Sequence, residues 1–187
     1  MKVVFDVGGS HMRVGVSRNG RDVLQVMDLV TPAAVGDGLQ LLVETGKKLA
    51  GEEKIEVTAG GIAGVWDRER SKLLGSPNLS GWVDYPISQR LSEGWGVEVK
   101  LENDAAVGAL GEAVFGAGEG KRIVAYLAVG TGVGGARIVD QKIDANFLGF
   151  EPGHQYIKVQ GPGDKVQNGE TLEELVIYRA LYGNFDL

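Results

Sequence analysis

The sequence lacks cysteine, any excess of basic residues and any long apolar run. With no cysteine among 187 residues, the fold needs no disulfide. The formal net charge is −6, and no cluster of Lys or Arg interrupts the acidic balance. This charge argues against broad attraction to nucleic acid or to anionic membrane surfaces. No apolar stretch approaches the ~20 residues that a membrane-spanning helix requires. The composition therefore predicts a cytoplasmic protein with neither nucleic acid nor a membrane as its partner.

The chain is long enough for a substantial core. Hydrophobic residues make up 43% of the sequence and charged residues 24%, which suits one domain or about one and a half. A single lysine precedes an apolar run that reaches Asp6, so the N-terminus does not resemble a signal peptide.

The apolar periodicity predicts an α/β fold. A glycine-rich segment, residues 116–120, separates a helical pattern from a strand pattern. We therefore expect a first domain over residues 1–120 and a second over residues 121–187. Strands are expected near residues 2–7, 12–18, 22–29, 55–60, 97–101, 122–129 and 134–140, and helices near 36–50, 87–94, 104–117 and 171–182.

A glycine turn lies between the first two predicted strands. Gly8, Gly9 and Ser10 follow a β-rich run, and glycine lets successive backbone N–H groups converge on an anion. Asp6 would repel a bare phosphate but suits Mg²⁺ bound beside a phosphate, usually through water. The alternative interpretation is an ordinary tight hairpin.

A second glycine turn strengthens the phosphate interpretation. Residues 130–135 connect a buried-strand pattern at 123–129 to a further strand pattern at 136–139. Neither turn has the Gly-Lys-Ser/Thr of a Walker A motif, and neither precedes a helix. Two hairpin-type phosphate loops about one domain apart indicate the duplicated actin-like ATPase architecture, in which nucleotide lies between two lobes. Its candidate residues here are Gly130, Thr131, Gly132, Gly134 and Gly135.

The residues around Asp104 allow two interpretations of its role. It follows a predicted strand at 97–101 and opens an Ala- and Gly-rich helical segment, where Asp commonly serves as an N-cap. A carboxylate aimed by a helix start is also suited to accept a hydroxyl proton during phosphoryl transfer.

Five motifs follow one another along the chain. They are Asp-x-Gly-Gly-Ser-x-x-Arg at 6–13, Ser-Pro-Asn-Leu-Ser-Gly-Trp at 76–82, Glu-Asn-Asp-Ala at 102–105, Gly-Thr-Gly-x-Gly-Gly at 130–135 and Glu-x-Gly-His at 151–154. In this order they resemble the ROK family of sugar kinases and sugar-responsive repressors, from about residue 2 to at least residue 176. The resemblance implies an actin-like ATPase, ribonuclease H-like α/β lobe with a mixed sheet and flanking helices, followed by the start of a similar lobe. It also implies ATP and Mg²⁺ as cofactors and a sugar as substrate.

The resemblance also implies roles for individual residues. Asp104 matches the family's general base for the sugar hydroxyl, and Glu173 matches the glutamate of a Cys-Leu-Glu element that contacts sugar. Arg13 belongs with the cofactor-binding motif. The residues expected to hydrogen-bond sugar hydroxyls are Asn78, Asn103, Glu151 and His154.

The absence of cysteine is a departure from this family. In the ROK pattern the histidine at the position of His154 joins a zinc site completed by three cysteines, but residues 160–169 contain none. We therefore predict a member without zinc. His154 could contact the sugar directly, or it could be a turn residue after Pro152-Gly153.

Trp66 is also unexpected in its motif. It could stack on a sugar ring, or it could pack in the core. Trp82 and Trp95 are expected to be packing residues.

The length points to an incomplete second lobe. We expect a truncated chain whose exposed sheet edge and apolar surface favour self-association, most simply as a homodimer. The sequence predicts either a sugar kinase, inactive in this form if the missing part is essential, or a non-catalytic sugar-binding or regulatory protein. Met1 leads directly into a strand, which argues against an N-terminal helix-turn-helix. The candidate residues do not distinguish glucose, mannose, fructose or their amino derivatives.

Overall fold

The protein has an α/β structure. A computed structural model describes residues 1–130, 132–144, 152–158 and 170–176. The chain divides into two compact units, Met1–Val107 and Gly108–Leu187. No helix in the described part is long and apolar enough to cross a membrane.

The first unit contains one five-stranded sheet with helices and a short hairpin. Its strand order is β3-β2-β1-β4-β7. The elements, in chain order, are β1 Lys2–Val7, β2 His11–Ser17, β3 Gln25–Val30, α1 Val35–Ala50, β4 Val57–Ile62, β5 Val65–Trp66, β6 Leu73–Gly75, α2 Ile87–Trp95, β7 Val99–Glu102 and α3 Asp104–Phe115, the last extending into the second unit.

The sheet is mixed. Strands β1, β2 and β3 form an antiparallel meander, whereas β4 runs parallel to both β1 and β7. Asp6 lies opposite Gly61, and Gly61 lies opposite Glu102. The carboxyl ends of β1, β4 and β7 therefore meet at the same edge of the sheet.

One face of the sheet forms the core with α1 and α2. Alternate residues of β1 and β2 point to this face, as the period of two of a strand requires. Complete burial of each such aliphatic side chain contributes about 1.5–3 kcal/mol. The buried residues include Val3, Phe5, Val7, Met12, Val14 and Val16 from the strands and Leu39, Leu42, Ile87 and Leu91 from the helices.

All three tryptophans are buried. The Trp66 side chain is only 7% exposed, and its indole Nε1 donates a hydrogen bond to the carbonyl of Ile62 at 3.2 Å. Trp82 Nε1 donates to the carbonyl of Pro32 at 3.1 Å. The packing interpretation of Trp66, Trp82 and Trp95 is therefore confirmed.

Two glycines of α1 accommodate indole rings. A Cβ at Gly38 would overlap ring carbons of Trp82, and a Cβ at Gly46 would lie 2.9 Å from Trp95 Nε1. These positions lie eight residues apart, on one face of the helix. Glycine normally lowers the stability of a helix. Here the close packing of an indole ring on each glycine compensates for that loss.

The second unit contains a three-stranded antiparallel sheet of order β10-β9-β8 and a two-stranded pair, β11 with β12. Val129 of β8 lies opposite Val133 of β9, so a tight turn joins these strands. Residues 172–176 are helical. The strands are β8 Ile123–Val129, β9 Val133–Val139, β10 Lys142–Ile143, β11 Tyr156–Lys158 and β12 Glu170–Thr171.

The described elements agree with most of the predicted ones to within three residues at each end. The hairpin of β5 and β6 was not predicted, because strands of two and three residues are too short to show alternation. The helix predicted at 171–182 is present over 172–176, and its other residues beyond 176 lie outside the described residues. The two units part inside α3, whereas the predicted domain boundary near residue 120 stays a prediction.

Replacing Gly38 by alanine should destabilise the protein. The new methyl group would overlap the Trp82 ring, and overpacking of this kind costs about 1–3 kcal/mol. Gly36→Ala in the same helix is the control, because no heavy atom lies within 4 Å of a Cβ built there. It should stabilise by up to about 1 kcal/mol through helix propensity. Urea unfolding measures both; equal effects of the two substitutions would contradict the packing argument.

Candidate functional site

The candidate site of the first unit lies at the carboxyl ends of three adjacent strands. The glycine turn 8–10 follows β1, Ala63 and Gly64 follow β4, and Asn103 and Asp104 follow β7. The backbone N–H of Ala63 donates to the carbonyl of Val7 at 2.9 Å, which ties the first two of these ends together. In α/β sheets this edge is where ligands commonly bind.

The first glycine turn is braced by Thr31, a residue that sequence reasoning missed. The Thr31 hydroxyl donates to the carbonyl of Gly8 at 2.8 Å, and its backbone N–H donates to the carbonyl of Ser10 at 3.0 Å. In a planar trans peptide, the carbonyl of Gly8 and the N–H of Gly9 point in opposite directions. The N–H of Gly9 is therefore directed away from Thr31. The only sequence signal was a threonine before a proline at the end of β3.

Asn78 lies against the same turn. A Cβ at Gly9 would overlap the Cβ and approach the backbone of Asn78, so only glycine permits this approach. The Ser76 hydroxyl donates to the carbonyl of Ala63 at 2.8 Å and anchors the segment that carries Asn78. The structure thus places one predicted sugar-binding residue beside the first predicted phosphate turn.

Asn103, and not Asp104, caps α3. The Asn103 Oδ1 accepts the N–H of Ala106 at 3.1 Å, and its carbonyl accepts the first helical bond, from Val107, at 3.0 Å. Both contacts are typical of an N-cap. The N-cap interpretation of Asp104 is therefore wrong, because Asp104 is the first residue inside the helix. The Nδ2 of Asn103 donates to the carbonyl of Gly64 at 3.1 Å, which further fixes this residue.

Gly61 allows α3 to begin close to β4. A Cβ built on Gly61 would lie 2.9 Å from the Cα of Asp104 and 3.4 Å from its N. Contacts under 3.0 Å to backbone require a shift of the chain, so a side chain at Gly61 would displace Asp104. The glycine therefore sets the position of the candidate base.

Two carboxyl groups at this edge resist ionisation. Burial raises the pKa of Asp104, and hydrogen bonds from backbone amides and Asn103 offset part of this rise. The pKa of Asp6 is also raised. Partial burial is the larger cause, although the side chain reaches solvent, and the negative charge of Asp104 is the second. A nearby divalent cation would favour the charged form of both. The donor set therefore fits Mg²⁺ held through water, although the described residues include no cluster of three or more metal-ligating side chains.

Arg13, predicted to bind the cofactor, is engaged with Asp28. Its Nε donates to Asp28 Oδ2 at 3.0 Å, while His11 Nδ1 lies 2.8 Å from Asp28 Oδ1. Hydrogen bonds from His11 first, and then from Arg13, hold the pKa of Asp28 below its ordinary value. The positive charge of Arg13 also opposes part of the rise in the Asp6 pKa, so this guanidinium favours the ionised form of Asp6.

In the second unit, the second glycine turn contacts Glu173. The N–H of Gly130 donates to the carbonyl of Gly132 at 2.8 Å, and Glu173 Oε2 accepts the N–H of Val133 at 2.7 Å. A Cβ at Gly132 would lie 2.8 Å from the same carboxylate oxygen. Glu173, predicted to contact sugar, is thus bound to the glycine turn. Gly134 and Gly135 lie within β9, opposite Ala128 and Leu127.

The Glu-x-Gly-His motif is described only in part. His154 ends a short 3₁₀ turn, Pro152–His154, and its side chain is exposed. Glu151 and Thr131 lie outside the described residues. Their predicted roles in sugar and phosphate binding stay predictions.

Comparison with known proteins establishes the family. The model of the ROK family matches residues 3–172, so the chain belongs to that family. It is 32% identical over 161 residues to a glucokinase of Thermotoga maritima, covering 84% of this chain and 51% of the relative. A glucokinase of Streptomyces coelicolor is 32% identical over 166 residues, covering 87% and 51%. The chain spans about half the length of the curated relatives it matches.

Solved structures agree on the fold. A ROK family glucokinase from Streptomyces griseus, in complex with glucose and AMPPNP, superposes with a TM-score of 0.73 and 27% identity over 83% of this chain and 51% of its own. A ROK hexokinase from Thermus thermophilus gives 0.74 and 30% over 91% and 57%. The fold class predicted from the sequence, the actin-like ATPase fold, is therefore confirmed.

Gly61→Ala should displace the start of α3. We expect a loss of about 1–3 kcal/mol in the free energy of unfolding, because the contact at 2.9 Å is with backbone. Gly75→Ala is a matched strand control, since no heavy atom lies within 4 Å of its Cβ position, and it should change stability by less than about 0.5 kcal/mol. Urea unfolding gives both values. A Gly61→Ala protein as stable as the parent would show that the approach is not constrained.

Asp104→Asn should stabilise the protein at pH 7. A raised pKa means that the folded state binds the proton more tightly, so the stability linked to this group is lost as pH rises through the folded-state pKa. The gain should shrink as pH falls toward the ordinary Asp pKa of about 3.9. Asp37→Asn, in the exposed first turn of α1, should instead lose a few tenths of a kcal/mol. Unfolding at pH 7 and pH 4.5 measures both. A destabilised Asp104→Asn protein at pH 7 would contradict the burial argument.

Proposed function

We propose that this chain carries the sugar-binding and base-bearing part of an ATP-dependent sugar kinase of the ROK type. The observation that carries the proposal is the environment of Asp104. The hydrogen bond that caps the Ala106 amide comes from Asn103 and not from Asp104, the pKa of the Asp104 carboxyl is raised by burial, and the Asp104 backbone is held against Gly61. A half-buried carboxylate with a raised pKa, on a rigid helix start, is what a general base for a hydroxyl needs.

The proposed reaction transfers the γ-phosphoryl group of ATP to a sugar hydroxyl. The hydroxyl oxygen forms the new bond to phosphorus, the bridging bond to the β-phosphate breaks, and ADP leaves. Asp104 accepts the hydroxyl proton as the bond forms. Phosphoryl transfer requires mainly positioning and charge stabilisation, so holding the hydroxyl and the carboxylate together is the principal task of this unit.

Phosphate oxygens would be held by backbone N–H groups of the two glycine turns. In the first turn, the hydrogen bond from the Thr31 hydroxyl to the Gly8 carbonyl directs the N–H of Gly9 away from Thr31. Asp6 would hold the water shell of Mg²⁺, and the bound ion would neutralise charge on the phosphates. The turn at Gly130 to Gly135, in the second unit, is the second phosphate turn that we propose, although two of its amides, those of Gly130 and Val133, already donate to the Gly132 carbonyl and to Glu173.

The sugar class is proposed from the exposed polar residues and from the relatives. Asn78 at the first turn and His154 in the second unit are both exposed and available for hydroxyl groups. Relatives named glucokinase make glucose the first candidate, and N-acetylhexosamines are the second class of sugar that we propose. We further propose a cytoplasmic homodimer that uses Mg²⁺ and, having no cysteine, binds no zinc.

A non-catalytic sugar-binding function is the second candidate. A xylose repressor of Caldicellulosiruptor bescii is 33% identical over 123 residues, covering 65% of this chain and 31% of the relative. The candidate predicts sugar binding without ADP release. The kinase is favoured instead by Asp104, whose carboxyl has a raised pKa and which follows the capping residue Asn103.

Asp104→Asn should lower kcat by roughly 10²–10⁴, the range for a lost general base, and leave the dissociation constant of the sugar nearly unchanged. ADP release with glucose, mannose, fructose and N-acetylhexosamines measures the first quantity, and calorimetry without ATP the second. The control is Asp37→Asn, which should keep the parent turnover because the Asp37 side chain is exposed in the first turn of α1. More than half of the parent turnover in Asp104→Asn would contradict the base assignment, and sugar binding without turnover in the parent would favour the second candidate.

A further inference from the structure

Glu102 joins two parts of the first unit through one oxygen. Its Oε1 accepts Nε of Arg70 at 2.8 Å and the backbone N–H of Asn103 at 2.9 Å. Glu102 is the last residue of β7, and the next two residues are the N-cap and the candidate base. Anything that holds the Glu102 carboxylate therefore acts on the backbone just before Asp104.

Arg70 is held in an unusual conformation at the other end of this contact. It lies in the turn between β5 and β6 with a φ of 56°, a left-handed backbone conformation that residues other than glycine rarely adopt. Its Nη1 donates to the carbonyl of Asp67 at 2.9 Å, and its backbone N–H donates to the same carbonyl at 3.2 Å. The guanidinium thus spans from its own turn to Glu102. Strained residues of this kind are found where the surroundings over-determine them, commonly near functional sites.

The turn that carries Arg70 is itself well fixed. The carboxylate of Asp67 accepts the N–H of Ser71 at 2.6 Å and also binds the Ser71 hydroxyl. The same segment continues through β6 to Ser76 and Asn78. A rigid turn can hold the start of α3 in place, whereas a mobile one could not.

The Arg70–Glu102 pair is also more buried than a typical surface pair. Its side chains are 31% and 19% exposed, whereas in the Arg90–Glu93 pair both are above 50%. Water screens a half-buried pair less, so its interaction is stronger than that of an exposed pair.

We propose that Arg70 and Glu102 are positioning residues for Asp104. The ion pair ties the turn between β5 and β6 to the end of β7, and the Asn103 amide hydrogen bond carries this restraint into the first turn of α3. A parallel tie, from Asn103 Nδ2 to the carbonyl of Gly64, comes from the same chain segment just before β5. The two ties fix the direction of the Asp104 carboxylate relative to the segment that carries Asn78. The part of this inference that concerns turnover rests on the proposed kinase function.

The test combines local hydrogen exchange with kinetics on the purified chain. In Arg70→Ala, the amides of Ala106 and Val107, both bonded to Asn103, should exchange at least about tenfold faster, because local opening near the helix start becomes easier. The amides of Val14 and Val16 in the core sheet should keep the parent rates. The kcat for sugar phosphorylation should fall by roughly 10- to 100-fold with a smaller change in KM, since a displaced base affects the chemical step.

Two further variants separate charge from geometry. Glu102→Gln keeps an oxygen for the Asn103 amide but loses the ionic partner of Arg70, so its effect should lie between those of the parent and Arg70→Ala. Arg70→Lys keeps the charge but lacks the planar fork that contacts both Glu102 and Asp67, so it should restore only part of kcat. Arg90→Ala removes an exposed pair on α2 and should behave as the parent does.

The outcomes are distinguishable. Faster exchange at Ala106 and Val107 alone supports the positioning role. This holds even if neither the parent nor the variant phosphorylates any sugar, a result that would count against turnover by this chain on its own and leave the restraint in place. Unchanged exchange at these amides, or equal acceleration in the core strands, would overturn the inference, because Arg70 would then be dispensable or merely stabilising. Parent-like kcat in Arg70→Ala, measured in an active parent, would overturn it as well.

Discussion

The two consecutive glycines at the end of β4 are the constraint on which the candidate site depends. Neighbouring strand residues face opposite sides of a sheet, so Gly60 and Gly61 open both faces at once. On one side the Phe5 ring lies over Gly60, and on the other the backbone of Asp104 approaches Gly61. A side chain at Gly60 would displace the Phe5 ring of the neighbouring strand β1, and one at Gly61 would separate the sheet from the start of α3. The same two glycines therefore position both the Phe5 ring in the core and Asp104, the candidate general base.

The start of α3 divides two tasks between adjacent residues. Asn103 caps the helix and binds the carbonyl of Gly64, which leaves Asp104 inside the first turn with its carboxylate not needed for capping. The raised pKa of Asp104 and of Asp6 means that the folded protein holds two charges that burial disfavours. Such an arrangement weakens the fold at neutral pH, and it is common where a site is organised for a ligand or a reaction.

Much of the fold followed from local patterns, whereas the contacts that organise the site did not. The alternation in β1 and β2 and the amphipathic spacing of α1 are properties of short segments, so they could be predicted. The N-cap interpretation of Asp104 was wrong because Asn103 and Asp104 are both good capping residues, and only the contacts of Asn103 with Ala106 and Val107 distinguish them. Thr31 and Arg70 act on residues 23 and 32 positions away, and no single-sequence pattern encodes such pairs. Trp82 and Trp95 were correctly expected to pack in the core, whereas the choice between a sugar ring and the core for Trp66 needed the structure, which buries it.

Thr31 has a consequence for the thermodynamics of binding. Glycine loses more conformational freedom on folding than any other residue, so a turn with two glycines would ordinarily have to be ordered by its ligand. Here two hydrogen bonds to Thr31 order two peptide planes during folding, before any anion arrives. The entropy cost of shaping the turn belongs to the folding equilibrium and not to the binding equilibrium. An anion that meets the Gly9 amide would therefore find a preorganised surface, and its affinity would not be reduced by the flexibility that the sequence suggests.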